Sequence, residues 1–173
     1  MGLSNPTKDH DMPTTKTAKD ACDLLDADHR AVKKLFKEYE ELAGARSRSA
    51  AARKDELARE ICMQLTVHAQ VEEEIFYPAL RHALRTTDLL DEAEVEHQTA
   101  KDLIAQIEAS DDSPEVHDAK VKVLGEYIDH HVKEERNEIF PKARSARGLD
   151  LVAMREQLEA RKAELLEEHA AAA

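Results

Sequence analysis

Aromatic residues are scarce in this chain, 3% of its 173 residues, and tryptophan is absent. Glycine and proline number only 4 and 5. That scarcity argues against a sandwich or a doubly wound sheet, and no strand signal appears anywhere along the sequence. Long apolar runs are missing too. No stretch approaches the roughly 18 uninterrupted apolar residues of a membrane span, so no membrane association is expected. The opening MGLSNPTKDHDMPTTKTAKD lacks the apolar centre of a secretory leader. Cys22 and Cys62 stand far apart with no CxxC, which predicts buried thiols in a reducing, cytoplasmic compartment rather than a disulfide. Positive charge is also in deficit. A formal net charge of -12 argues against a nucleic-acid partner, because phosphate neutralisation requires clustered Lys and Arg.

What is abundant is charge of both signs, 36% of residues, together with Ala, Leu, Glu and Lys. This is the composition of helices with wet outer faces. Residues 1–17 read as a disordered arm. A first helix is predicted over 18–43, where Leu25, Val32, Leu35, Phe36 and Leu42 fall at helical spacing and Gly44 stops it. A second is predicted over 51–78 on Leu57, Ile61, Leu65 and Ile75, with Pro78 expected to break or kink it. A third covers 88–109. A fourth begins at the Ser113 cap and Pro114 and runs to Phe140-Pro141. The four make one domain, 18–143, an all-α, up-down-up-down four-helix bundle. A further amphipathic helix over 149–169 carries Leu151, Leu158 and Leu165 at heptad spacing. Three members are too few for a convincing coiled coil, so this stripe is expected to dock on the bundle or on a second subunit of a homodimer.

The pattern that bears on function is an internal repeat. Ile61-x3-Leu65-x2-His68-x3-Glu72-x4-Tyr77-Pro78 is answered by Leu124-x3-Ile128-x2-His131-x3-Glu135-x4-Phe140-Pro141, with every interval equal. Asp26-x-Asp28-His29-x3-Lys33 is answered by Glu94-x-Glu96-His97-x3-Lys101. The chain thus reads as two helical hairpins in tandem, each with a lone His followed by a His-x3-Glu. Residues four apart share a helix face, so His68 and Glu72, and His131 and Glu135, continue apolar stripes into the core. His29 and His97 are followed by apolar residues at helical spacing and can also point inward. A bare carboxylate in a core costs several kcal/mol unless it is paired or binds a cation.

A single His-x3-Glu is usually a surface ion pair, and a lone inward His is usually a hydrogen-bonded core residue. Recurrence in both halves, with the apolar stripe in register, overrides both readings. The overlapping pair His130 and Glu134 also fits the motif, but only His131 and Glu135 match helix two in distance to the proline. His10, His82, His117 and His169 have no partner motif. Six imidazole and carboxylate ligands are too many for one tetrahedral zinc, and the histidines exclude an all-oxygen calcium or magnesium site. Two His and one carboxylate per hairpin is a set used by non-haem Fe(II), which predicts two iron ions per chain.

The ordered pattern of His29, His68-x3-Glu72, His97 and His131-x3-Glu135, with EEEIFYP and HHVKEERNEIFP around the second and fourth motifs, resembles the hemerythrin-like (HHE cation-binding domain) family over about residues 20 to 143. That resemblance implies an oxo- or hydroxo-bridged, carboxylate-bridged diiron centre in the bundle core. Oxygen-carrying members have a second histidine on the third helix where this chain has Lys101, so each iron would keep open positions. A substitute ligand is then expected from Glu73, Glu96 or solvent. The leading expectation is a protein that binds or senses O2 or NO. The alternatives are a diiron oxidoreductase acting on hydrogen peroxide or NO, and an iron-homeostasis protein whose bundle is ordered by metal. No catalytic proton donor is assigned: Tyr39, Tyr77 and Tyr127 are the candidates, and each reads more readily as a packing residue.

Overall fold

The computed structural model describes residues 18–85, 87–109 and 111–172, and the arm expected at 1–17 lies outside them. The described residues are all-helical. Helix α1 (Ala21–Glu41) begins at Asp20, whose carboxylate accepts from the Asp23 N–H at 2.9 Å while Asp23 accepts from the Asp20 N–H at 2.9 Å. This reciprocal pair satisfies two donors that a helix start otherwise leaves bare. Gly44, at φ 80°, takes the left-handed conformation that ends the segment. Helix α2 (Arg48–Val71) starts three residues ahead of the expected Ala51, because Ser47 accepts from the Ala50 N–H at 3.2 Å.

Pro78 does not break the second helix. A π-helical turn, Glu72–Phe76, joins α2 to α3 (Tyr77–Ala83), and the Tyr77 N–H reaches back to the Glu72 carbonyl. The wider turn inserts one residue into the helical count just before the proline, where a missing N–H would otherwise disturb the ladder. Helix α4 (Asp88–Glu108) follows. Then α5 (Pro114–Glu134), capped by Ser113, passes through a second π turn, Glu135–Ile139, into α6 (Phe140–Ser145). The fourth helical rod therefore runs beyond the expected end at Phe140-Pro141 by the same device.

Helix α1 packs on α2 and α5, α2 on α4, and α4 on α5, which closes a four-membered ring. With short connections between neighbours this is the up-down-up-down arrangement. Helix α7 (Leu151–Ala172) lies against α1, α2 and the first π turn, with Leu151, Leu158 and Leu165 buried. Two apolar clusters fill the interior. One, near the π turns, contains Cys22, Leu25, Val71, Phe76, Leu90, Phe140 and the buried residues of α7. The other contains Val32, Leu57, Ile61, Cys62, Leu65, Ile104 and Leu124. Between them lies a buried layer of histidine and glutamate. Both thiols are buried and free, and burial pushes each up to about 12. No helix of the described residues is long and apolar enough to cross a membrane.

Candidate metal centre

All six residues singled out by the repeat meet in that layer. His29, His68, His97 and His131 are 4 to 7% exposed, and Glu72 and Glu135 are fully buried. The overlapping alternative points away: the His130 side chain is 60% exposed. His29 on α1 and His68 on α2 bring their Nε2 atoms within 2.9 Å, with Glu135 Oε2 at 3.1 Å from His29 and Glu72 Oε1 at 3.3 Å from His68. His97 on α4 and His131 on α5 approach at 3.2 Å through Nε2, with Glu72 Oε2 at 3.3 Å from His97 and Glu135 Oε2 at 3.6 Å from His131. Each carboxylate thus touches an imidazole of both hairpins. Ligand atoms of His29, His68, Glu72 and Glu135 lie within 4.8 Å of one another, as do those of Glu72, His97 and His131.

This donor set fits a cation. Glu72 Oε1 and Glu135 Oε2 are buried with no hydrogen-bond partner among the described residues. His97 and His131 turn Nδ1 toward carboxylates, Glu73 at 3.0 Å and Glu96 at 2.7 Å. An N–H at Nδ1 leaves the lone pair on Nε2, aimed inward, which is the tautomer that a metal requires. The lone pairs of His97 Nε2 and Glu72 Oε2 then face each other across 3.3 Å, and only a positive charge makes that arrangement favourable.

The field of the site tells the same story. Burial alone would lower the His68 pKa, but Glu72, Asp28 and Glu135 outweigh it and push it up to about 10. His97 is pushed up to about 9 against burial by Glu72, Glu73 and Glu135. Burial would raise Glu72, yet His68 and His97 hold its carboxyl well below the usual range. Protons and metal ions compete for such nitrogens, so a site that raises imidazole basicity also attracts cations.

Tyr77, a candidate that the sequence left nearer to packing, has its hydroxyl in the buried layer. Its hydroxyl donates to Glu135 Oε1 at 2.9 Å and lies 3.4 Å from His97 Nε2 and 3.5 Å from Glu72 Oε2. The π turn is the cause. In an α-helix a residue five after Glu72 would face elsewhere, and Phe76 would take the inward position. The wider turn keeps residues five apart near one face, so Tyr77 enters. Burial and the charges of Glu135 and Glu72 raise its pKa well above the ordinary phenol value, so it stays a donor. The matched Tyr-Pro and Phe-Pro of the two halves were the available signal. Tyr39, by contrast, donates to Asp118 at 2.8 Å away from the centre, and Asp118 also holds buried Lys54.

Glu73 and Glu96 each hydrogen-bond the outer nitrogen of a histidine, Nδ1 of His97 and of His131. Lys101 spans from α4 to Glu73 at 2.6 Å. A cavity of about 30 Å³ adjoins the four histidines, walled by Val32, Leu65, Ala100, Ile104 and Ile128. That is room for one or two water-sized molecules.

The family model of the hemerythrin HHE cation binding domain matches residues 20–143, and the chain belongs to that family. A crystal structure of a hemerythrin HHE cation binding domain-containing protein from Mycobacterium kansasii superposes with a TM-score of 0.65 at 23% identity, over 85% of this chain and 87% of that one, which establishes the shared fold. A DNA nickase from Nostoc sp. is 31% identical over 124 residues, 71% of this chain. The matched part is 33% of the nickase, so the chain spans about a third of that relative's length.

Proposed function

We propose that the chain carries a diiron centre whose open positions bind O2 or NO. In this reading His29 and His68 would hold one iron and His97 and His131 the other, with Glu72 and Glu135 available to both. The observation that carries it is the pair of buried His-His sets converging on two common carboxylates beside a small apolar cavity. Iron is favoured over zinc because two His with a carboxylate from each hairpin is the set that non-haem Fe(II) centres use. Such a pair would supply two electrons to a small molecule held in the adjoining cavity.

The protein's own contribution is positional. Four helices fix the imidazoles, and the outer carboxylates fix their tautomers and tilt. Apolar walls limit the cavity to something the size of a diatomic or peroxide. Lys101, tied to Glu73, leaves the position of a further imidazole unfilled. A second reading, turnover of hydrogen peroxide, is favoured by Tyr77, whose hydroxyl places a hydrogen-bond donor beside Glu135 and His97. The Nostoc relative's DNA nicking belongs to a much longer protein and supplies no part of this reading.

The test is metal analysis followed by anaerobic reduction and mixing with O2, NO and peroxide in turn. Close to two irons per chain and an optical response to O2 or NO are expected. A single zinc with no response to any of the three would overturn the proposal.

A further inference from the structure

The two hairpins place their inner ligands alike but hold them differently. In the half formed by His97 and His131, each ring has an anionic partner on Nδ1, Glu73 at 3.0 Å and Glu96 at 2.7 Å. In the half formed by His29 and His68, neither ring has a comparable partner. His29 Nδ1 is buried with no hydrogen-bond partner among the described residues. His68 Nδ1 lies 3.5 Å from Asp28 Oδ2, and both atoms also lack a hydrogen bond.

The repeat accounts for both deficits. By its intervals Glu73 corresponds to Arg136, which cannot accept a proton from imidazole and instead pairs with Asp26. Glu96 corresponds to Asp28, whose side chain is shorter by one methylene, and whose charge is shared with Lys162 of α7. Tyr77 likewise corresponds to Phe140, so the phenol also sits on the His97 side. These three breaks in the repeat all enrich one half and impoverish the other.

We infer that the centre loads in order, the His97–His131 half first and the His29–His68 half second, with Glu73, Glu96, Asp28 and Lys162 as the positioning residues that set the gap. This rests on the two-metal reading above. A carboxylate behind an imidazole raises its basicity as a ligand and fixes its ring, and loss of such a partner typically costs about 10–100-fold in metal affinity. One half has two such partners at 3.0 Å or less, and the other has a single longer contact, Asp28 to His68 at 3.5 Å, with its charge shared with Lys162, so the two steps should be separated by about 10-fold. Lys162 widens the gap by occupying Asp28 and by placing a positive charge behind His68. The C-terminal helix therefore belongs to the outer wall of one metal position, although it contributes none of the six inner residues.

The test is an anaerobic titration of the full, metal-free chain with Co2+, followed by its visible absorption. Two resolved steps are expected. His29→Ala should keep the first step and His97→Ala should remove it. Glu96→Gln should weaken the first step by about 10-fold or more and draw the two together. Lys162→Met should leave the first step in place and tighten the second. Circular dichroism of each variant confirms that the bundle is intact. Saturation at two ions in one unresolved step, unmoved by Glu96→Gln, overturns the ordering and leaves the two-metal reading standing. Loss of the first step in His29→Ala but not His97→Ala overturns the assignment of halves. Saturation at one ion overturns both readings together.

Discussion

The N-terminal hairpin and the C-terminal hairpin share every interval from the apolar stripe to the proline, yet they surround their histidines with different chemistry. The shared part is what a cation needs: two imidazoles and a carboxylate from each, delivered by helices of equal pitch. The differing part lies one atom further out, at Glu73 against Arg136, Glu96 against Asp28, and Tyr77 against Phe140. The two hairpins also differ in cover, since α7 lies over α1 and α2 while the outer face of α5 leaves Val116 and Val123 45 and 48% exposed. A repeated scaffold thus fixes the ligands, and single substitutions outside the ligand set make the halves unequal.

The largest break in the comparison comes from the residues the halves share. Glu72→Ala or Glu135→Ala removes a carboxylate that touches imidazoles of both hairpins, so each is expected to lose both metals rather than one. Metal bound only to the folded chain stabilises it by about 4 kcal/mol at a free concentration a thousand times Kd, and that contribution should vanish with the metal. Metal content and the thermal midpoint with and without chelator measure it. Retention of one metal in either variant would mean that the carboxylates are not shared.

Next in size is the cover. Leu158 is fully buried on the face of α7 that meets the first hairpin. Leu158→Ala should cost about 2–5 kcal/mol, the usual range for a buried leucine. Val123→Ala, on the uncovered face of α5, should stay within about 0.5 kcal/mol. Chemical denaturation of the two variants compares them directly. Equal costs would indicate that α5 is covered by something in solution.

Almost all of the ring of four helices, and all six inner residues, were legible in the sequence, because a carboxylate that continues an apolar stripe has few physical explanations. His131 could be separated from His130 by the same stripe. What was not legible follows from the π turns. A reading at 3.6 residues per turn places Phe76 inward after Glu72, and only the inserted residue brings Tyr77 there. Pro78 looked like a break for the same reason. The outer carboxylates were visible as acids directly preceding His29 and His97, but a side chain beside a histidine in sequence bonds one on another helix: Glu96 reaches His131, and Asp28 faces His68. Helical periodicity says nothing of such a crossing.

Tyr77 and Phe140 give a sharper test of inequality. Tyr77→Phe removes one oxygen and keeps the ring against His97. Metal content should be unchanged, whereas peroxide consumption, on the second reading of function, should fall by about 100-fold, the lower range for loss of a positioned hydrogen-bond donor. Phe140 stacks near His29, with ring centroids 6.0 Å apart, so adding Phe140→Tyr moves the phenol to the opposite half. Recovery in the double variant would mean that the halves are interchangeable for chemistry. Persistent loss would tie the reaction to the His97 side, and no loss in Tyr77→Phe would remove Tyr77 from the mechanism.

The smallest effect distinguishes how the two hairpins begin. Asp20 has extended backbone, ψ -178°, which aims its carboxylate back at the Asp23 N–H, and Arg144 clasps it at 2.8 Å. Thr87, at the start of α4, has ψ 4°, and its side chain makes no capping bond. One substitution should therefore have two outcomes. Asp20→Ala should cost about 1 kcal/mol, up to about 2, whereas Thr87→Ala has no capping bond to lose and should stay within about 0.5. The gap should also depend on pH. Burial alone would raise the Asp20 pKa, but Arg144 and the Asp23 N–H outweigh it and bring it below the ordinary value. A carboxyl whose folded pKa is depressed contributes fully above its unfolded value, about 3.9, and loses that contribution as pH falls through the folded one. Denaturation at neutral pH and again in acid should thus show the Asp20→Ala penalty shrinking while the Thr87→Ala value stays flat. A penalty that persists at low pH would mean that Asp20 acts by shape and packing at the helix start, not by its charge.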